Sequence, residues 1–426
     1  MSLATKPRDE FRIRLRRGAH LVFLASRAIL RALRGQKPRA IRHAVCYPIV
    51  ADAERLADLA NRVSWYLPSA DFCKVDVRIP GQRALLEVDI ASLRAPGSQG
   101  SYLEKSENVQ LVDRSRVDLA GAERVLVWSK WSLLNPRVLL RLGKVEMVDP
   151  TFYSGIEAAT FRRLCMQAVD RGDRERFASL SRDNFERMLS GVRGYETGYV
   201  FGTGPSLEDA FAFDYDGGLR VVCNSIVKNK ALLEHIRPHL LVFGDAVFHY
   251  SPCRYAAEFR KMMLDVVDEF QCYVLIQDFG VPLFLAHYPQ LKDRIIGLPV
   301  RGEEYNFPTL DRFHVRPSQN VMTRCMLPVA SSVAEEIFII GADGRRPDEK
   351  YFWTHSSAAQ FDDLMQTAVD THPSFFRDTV YTDYYERHCR ILEELFRYGE
   401  AMGKSYYALT PSYVPALARR PAPGRS

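Results

Sequence analysis

Apolar residues in the second half of the chain come in short unbroken runs separated by stretches of helical period. Positions 199–201, 220–224, 240–244, 273–277, 295–298, 336–341 and 406–409 carry the runs. A strand with one wet face alternates apolar and polar residues, whereas unbroken runs suit strands buried on both faces. The pattern therefore predicts an α/β fold whose C-terminal sheet is mostly parallel, Rossmann-like and covered by helices. Ligands in such folds bind beyond the carboxyl ends of the strands. The first half repeats the theme more weakly, with strands expected at 43–50, 73–79, 108–112, 124–129 and 144–148, helices at 51–67 and 133–142, and one long helix over 156–192. It reads as a smaller α/β domain, 43–193, joined at Gly194 to the larger one, 194–415, with 416–426 as a disordered tail.

Ahead of both lies a segment of another kind. Phe11, Leu15, Val22, Ile29 and Leu33 recur at helical spacing among arginines, which predicts an amphipathic helix over 10–33 inside a basic arm covering 1–42. Lys6, Arg8, Arg12, Arg14, Arg16, Arg17, Arg27, Arg31, Arg34, Lys37, Arg39 and Arg42 are opposed there only by Asp9 and Glu10. Such a helix can lie in the interface of an anionic membrane, each basic residue contributing on the order of 1 kcal/mol. It can equally pack its stripe on the protein's own body, and periodicity does not separate the two. The uncharged stretch from Gly18 to Ser26 is far short of the roughly 20 residues that span a bilayer, so neither a transmembrane anchor nor a cleaved signal peptide is expected.

Composition acts mainly by exclusion. With 58 basic and 52 acidic residues the net charge of +6 is too balanced for a nucleic-acid partner along the whole chain. The eight cysteines, Cys46, Cys73, Cys165, Cys223, Cys253, Cys272, Cys325 and Cys389, form no CxxC pair or zinc-finger spacing and fit a reducing cytoplasm.

Candidate chemistry begins at Tyr199-Val-Phe-Gly202-Thr203-Gly204-Pro205-Ser206, a strand running into a Gly-x-Gly turn and a helix start. Glycines let a backbone approach a phosphate or ribose, and a helix N-terminus offers free N–H groups to an anion; equally, the turn can be purely structural. Pro205 and Ser206 break the dinucleotide-binding spacing. Asp214-Tyr215-Asp216 has the look of a metal-binding DxD, yet Gly217-Gly218 follow it and point to a turn, so no metal site is expected.

Further residues make a family resemblance specific. Val222-Cys223-Asn224-Ser225, Leu241-Val242-Phe243-Gly244-Asp245, Arg316-Pro317-Ser318-Gln319-Asn320, Glu336 to Asp343 and Tyr406 to Ser412 follow the glycine turn in order. Over about 196–412 this resembles the family 42 bacterial sialyltransferases and shares an outline with the motility accessory factor family of flagellin glycosyltransferases. The resemblance implies that Gly202, Thr203, Gly204 and Ser206 hold the donor's phosphate and ribose, with Asn224 and Asp245 beside nucleotide and sugar. It further implies that Arg316, Ser318 and Gln319 border the base and that Tyr351 meets the leaving phosphate. Thr203 and Asp245 stand where that family carries asparagines, and Ser318-Gln319-Asn320 replaces its Ser-Gly. Its general base corresponds to the stretch from Tyr381 to His388, which leaves His388 and Asp383 as candidates and His372 as a third. Histidine suits the role because its pKa lies near neutrality. Arg345, Arg346 and Lys350 follow Asp343 in a polar loop where cations could offset a departing nucleotide's charge or simply be solvated.

The function so implied is transfer of a sugar, sialic acid or a related keto acid, from a CMP-activated donor to a bacterial surface glycan, with no cofactor besides that donor. The expected partners are the nucleotide-sugar donor, the glycan acceptor and an anionic membrane surface at the cytoplasmic face. Two alternatives stay open: a Mg²⁺-dependent pterin pyrophosphokinase, which shares the Gly-x-Gly-Pro-Ser outline, and a catalytically inactive nucleotide-binding module.

Overall fold

The computed structural model describes residues 7–33, 41–68, 73–89, 97–98, 106–114, 116–154, 156–346, 355–379 and 381–423. Two sheets, both wholly parallel, organise the chain. The first comprises β1 (His43–Tyr47), β2 (Asp76–Gly81), β3 (Val109–Asp113), β4 (Arg124–Val127) and β5 (Val145–Met147) in the order β3-β2-β1-β4-β5. The second comprises β6 (Thr197–Phe201), β7 (Gly218–Cys223), β8 (Leu240–Val242), β9 (Tyr273–Gln277), β10 (Ile295–Leu298), β11 (Glu336–Ile340) and β12 (Ser405–Ala408). Their order is β10-β9-β8-β7-β6-β11-β12. In each sheet the earliest strand lies inside and the chain winds outward to one edge before reversing. The reversal makes a crevice between β6 and β11 in the larger sheet. The apolar runs are buried as their lack of alternation requires: Leu240, Leu241, Val242, Val274, Leu275 and Ile276 have no exposed surface.

The longer helices among the described residues cover these sheets or link them: α1 (Pro7–Leu33), α2 (Ala53–Tyr66), α3 (Ile156–Ala168), α4 (Arg171–Gly191), α5 (Arg254–Phe270) and α6 (Tyr381–Ala401). The long helix expected over 156–192 is thus two. Val169 bridges Cys73 in an antiparallel contact, and Asp170 takes extended backbone as the N-cap of α4. A tertiary pairing interrupts a period that the sequence carries without a break. The helix expected at 133–142 is likewise short, Pro136–Leu139 after a 3₁₀ turn Lys130–Leu134. Residues 416–423 are not a disordered tail: a short helix Pro415–Ala418 leads to Ala422, whose N–H donates to Ala408 O at 3.0 Å beside β12.

The basic arm forms a helix, and of the two placements left open for its apolar stripe it takes the outward one. Phe11, Leu15, Val22 and Ile29 are 67, 59, 66 and 58% exposed, while Ile13, His20, Phe23 and Arg27 are buried. Polar contacts hold that inner face: Arg27 pairs with the fully buried Glu146 of β5, Arg16 with Asp378 at 2.8 Å, and His20 stacks on Tyr153 with ring centroids 5.0 Å apart. The side chain of Leu33 and residues 34–40, with the arginines and lysine expected there, lie outside what is described.

The sheets share one apolar core, which runs from Ile41 through Phe161 and Val200 to Leu417. At its centre α2 meets the second sheet through Trp65. The indole Nε1 donates to Tyr250 O at 2.6 Å, Arg260 lies 4.2 Å over the ring, and His287 stacks on it at 4.0 Å. Beside it, Glu157 of α3 is fully buried, hydrogen-bonded to His372 Nδ1, with Arg62 Nη1 at 3.8 Å. Arg62 in turn donates to Thr371 O at 2.6 Å. Burial would raise the Glu157 carboxyl, but His372 and Arg62 outweigh it and hold it below its ordinary value. This cluster ties helices of the first sheet to the segment that leads into α6. Glu157→Gln should lower the unfolding free energy by about 3 kcal/mol, because the buried His372 Nδ1 and Arg62 Nη1 lose their anionic partner, although Arg62 keeps Asp58 at 2.9 Å; urea titration of the full chain measures it.

Candidate functional site

Beyond the carboxyl ends of β7 and β8 lies a cavity of about 540 Å³, walled by both halves of the chain. The second sheet contributes Asn224 and Ser225 after β7, then Asp245, Phe248 and His249 after β8. Gln319, Asn320 and Arg324 come from the segment before β11, His355 and Gln360 from the loop after it, and Asp383, Tyr384 and Arg387 from α6. On the far side stand Ile13 and Arg17 of α1 with Tyr153 and Ser154.

Asn224 has the most telling local geometry. It sits at φ 49°, a left-handed conformation that asparagine tolerates better than most residues but that still costs energy. Its side-chain Oδ1 is buried and accepts no hydrogen bond from the described residues. A buried carbonyl left without a donor costs about 1–3 kcal/mol, so a ligand N–H or O–H placed here would be strongly favoured. Asp245 is fixed by its own turn: Oδ1 accepts from the N–H groups of Val247 and Phe248 at 2.7 and 2.9 Å.

His249 lies four residues on, and its Nδ1 accepts the Asp245 N–H at 2.9 Å. Burial lowers its pKa to about 4, so near neutrality the ring is uncharged. With Nδ1 accepting, the ring proton sits on Nε2 and His249 serves as a hydrogen-bond donor, not as a base. His355, also held near 4 by burial, is joined through Nδ1 to Thr203 Oγ1 at 2.8 Å. Arg324 stands on a π-turn, Met322–Met326, next to Pro328. Proline lacks an N–H and its ring crowds the carbonyl four residues back, here that of Arg324, so the widened turn relieves the clash and carries the guanidinium at the cavity wall.

Of the residues singled out by sequence, Asn224, Asp245, Gln319 and Asp383 come together around this cavity. The glycine turn does not join them. Gly202 and Gly341 face each other across the crevice so closely that a Cβ on either would overlap the other's carbonyl. Gly202 N donates to Ile340 O and Gly204 N to Gly341 O, both at 2.8 Å. The Ser206 N–H expected to hold a phosphate is taken by the Asp343 carboxylate at 3.1 Å, and Thr203 is buried. These glycines let two loop tips touch. Arg316 and Ser318 border a separate hollow of about 10 Å³, with Arg316 4.2 Å over Tyr305 and 3.8 Å from Glu394. A hollow of that size holds one water.

His388 is also elsewhere: it is buried one turn beyond Tyr384 on α6, does not line the cavity, and burial lowers its pKa to about 4. His372 belongs to the Glu157 cluster. Arg345 turns back onto α6, 4.8 Å over Tyr385, while Tyr351 and Lys350 lie outside the described residues. Asp214 and Asp216 occupy the turn before β7, where Asp214 accepts the Asp216 N–H at 3.0 Å. Among the described residues no group of three or more His, Cys, Asp or Glu could hold a metal ion.

No family model matches the chain, and no curated protein matches it. Among solved structures it is similar to the sialyltransferase CstII from Campylobacter jejuni in complex with a substrate analogue, cytidine-5'-monophosphate. Identity is 14% and the TM-score 0.30, over 54% of this chain and 85% of the other. No helix among the described residues is long and apolar enough to cross a membrane.

Sequence reasoning missed His249, His355, Arg324, Arg387 and Arg17. Two carried a signal: His249 follows Asp245 by four residues, and Arg387 follows Asp383 by four, one helical turn along the same face.

Two expectations follow from this geometry. In Gly204→Ala the new Cβ would overlap the Asp343 carboxylate and lie 2.9 Å from Gly341 O. Overpacking of this kind costs about 1–3 kcal/mol, visible as a lowered Tm. Because the pKa values of His249, His355 and His388 fall from 6.5 in the unfolded chain to about 4 in the fold, the unfolded state takes up protons first as pH drops. Stability should be full above about pH 6.5 and decline between 6.5 and 4. A pH series of melting temperatures shows it, and the decline should be shallower in His249→Gln.

Proposed function

We propose that the chain is a glycosyltransferase that binds a nucleotide sugar in the cavity beyond β7 and β8 and works at an anionic membrane surface. The observation that carries this reading is Asn224: a strained residue whose buried acceptor no described residue meets, just past a strand's carboxyl end, in the same cavity wall as the Asp245 carboxylate. A cavity of about 540 Å³ lies within the range of about 300–1,000 Å³ typical of small-molecule sites. Its lining combines cations for phosphate with carboxylates and amides for sugar hydroxyls. The sequence resemblance makes a CMP-sugar carrying a nine- or eight-carbon keto acid the donor of choice, with a bacterial surface glycan as acceptor.

In this reading the Asn224 carbonyl and the Asp245 carboxylate accept hydroxyl or amino protons of the donor, and the His249 Nε2–H donates to it. Arg324 and Arg387 face the phosphate. As the bond from the anomeric carbon to the phosphate oxygen breaks, charge builds on that oxygen, and cations already in place in the cavity wall stabilise it. An acceptor hydroxyl adds to the anomeric carbon and passes its proton to the Asp383 carboxylate, which stands on the cavity's rim. Membrane attachment is supported by the exposed apolar stripe of α1 and the arginines beside it.

The first test is thermal stabilisation of the full chain by CMP, UDP and GDP compounds, since a ligand that binds only the folded state raises Tm by mass action. CMP should stabilise, and Arg324→Ala should weaken the effect; no shift with any nucleotide would remove the proposal. Asp383→Asn should lower kcat by about 10²- to 10⁴-fold with donor affinity kept. His388→Ala, away from the cavity, should lower Tm and leave kcat of the folded enzyme near its starting value. Activity lost in EDTA and restored by Mg²⁺ would favour pyrophosphoryl transfer instead.

A further inference from the structure

On the outside of the first sheet a second apolar surface stands exposed, and the cavity makes no use of it. Trp131, Leu134, Leu139 and Leu140 are 70, 73, 49 and 71% exposed. They lie on the Lys130–Leu134 turn, the short helix Pro136–Leu139 and its C-cap, directly after β4. Their inward neighbours Leu133, Val138 and Leu142 share one small core with Phe23 and Leu24 of α1. Helix and turn are therefore two walls of the same core, and both show apolar residues to the outside. On α1 the exposed row Phe11, Leu15, Gly18, Val22, Ala25 and Ile29 advances by alternate steps of four and three, so it forms one continuous stripe. Apolar surface of this extent on a folded chain marks an interaction site.

Charge decides what covers it. From Phe11 to Leu33 the sequence holds six arginines, and from Arg124 to Val145 five arginines and lysines, with no aspartate or glutamate in either stretch. Arg12, Arg14, Lys130 and Arg137 are exposed among the apolar residues, and Lys130 Nζ lies 5.4 Å over the Trp131 ring. A second copy of the chain is a poor occupant, because a two-fold interface sets a patch against itself and would bring these cations face to face. An anionic bilayer satisfies both features: headgroups meet the arginines and lysines, and tryptophan with leucine enters the interfacial layer.

We propose that the Trp131–Leu140 turn is a second membrane-inserting element that, with the outer face of α1, seats the protein on an anionic bilayer. It rests on the membrane reading of α1 and adds the anchor that fixes orientation. A single interfacial helix leaves the body free to roll about the helix axis; a second contact beside it removes that freedom. Since Ile13 and Arg17 of the same helix line the cavity, the seated protein holds its cavity at a set position beside the lipid interface.

The test is co-sedimentation of the full chain with vesicles of phosphatidylcholine, with and without phosphatidylglycerol. Variants are Trp131→Glu with Leu134→Glu on the turn, and Phe11→Glu with Val22→Glu on the helix, all at positions 66–73% exposed. Anionic vesicles should bind the unsubstituted chain, high salt should release it, and either pair should weaken binding about tenfold or more. Nucleotide-dependent stabilisation should be the same in all variants, so loss of that response speaks to the cavity and not to the membrane. Undiminished vesicle binding by the turn pair overturns the second anchor while the helix reading stands. A chain that ignores anionic vesicles overturns both, as does a dimer that the turn pair converts to monomer without any vesicle binding.

Discussion

The buried polar seam between the two sheets is the contact on which the rest depends. Arg62 comes from α2, Glu157 from α3 and His372 from the segment that leads into α6, and all three are buried. Charges so placed cost several kcal/mol each to desolvate, and only partners at hydrogen-bond distance offset that. The geometry is therefore narrow. Trp65 beside them adds apolar area and one hydrogen bond to Tyr250 O. Together they set how the first half of the chain lies against the second.

That setting matters because the cavity belongs to neither half alone. Tyr153 and Ser154 precede α3, whose Glu157 is in the seam, and Asp383 and Arg387 follow the segment that His372 anchors. Arg162, five residues along α3 from Glu157, is sandwiched between Tyr250 and Phe279 at 4.4 and 4.7 Å. Tyr250 is the neighbour of His249 in the cavity wall. A shift at the seam would move both sides of the site at once. The arrangement gives the first sheet a part in the site through the walls it contributes, although its own crevice carries no glycine turn.

The same logic explains why the glycine-rich turn is not where the ligand space is. Crevices between reversed strands bind phosphates when glycines leave room. Here Gly202 and Gly204 leave none, because the β6 and β11 loops bond to each other and Asp343 caps the Ser206 N–H. Burial raises the Asp343 carboxyl, offset in part by Ser206. The open space falls one strand further along, where Asn224 and Asp245 end β7 and β8.

What the sequence determined by itself was the parallel sheets and most of their strands. Unbroken apolar runs such as 273–277 and 295–298 have to be buried on both faces, and burial is a local demand that each run makes alone. It determined in the same way that an asparagine and an aspartate end neighbouring strands. What it left open depended on partners distant along the chain. A hydrophobic stripe says that one face of α1 is apolar, but which face is buried was decided by Glu146 and Asp378, which draw Arg27 and Arg16 inward and leave Phe11, Leu15 and Val22 outside. A histidine on α6 has the right chemistry for a base, yet its position on the helix sends His388 into the core while Asp383 and Arg387 reach the cavity. Glycines say that something comes close; only the tertiary structure showed that it is another backbone, because closeness is fixed by the sheet register that sets β6 against β11.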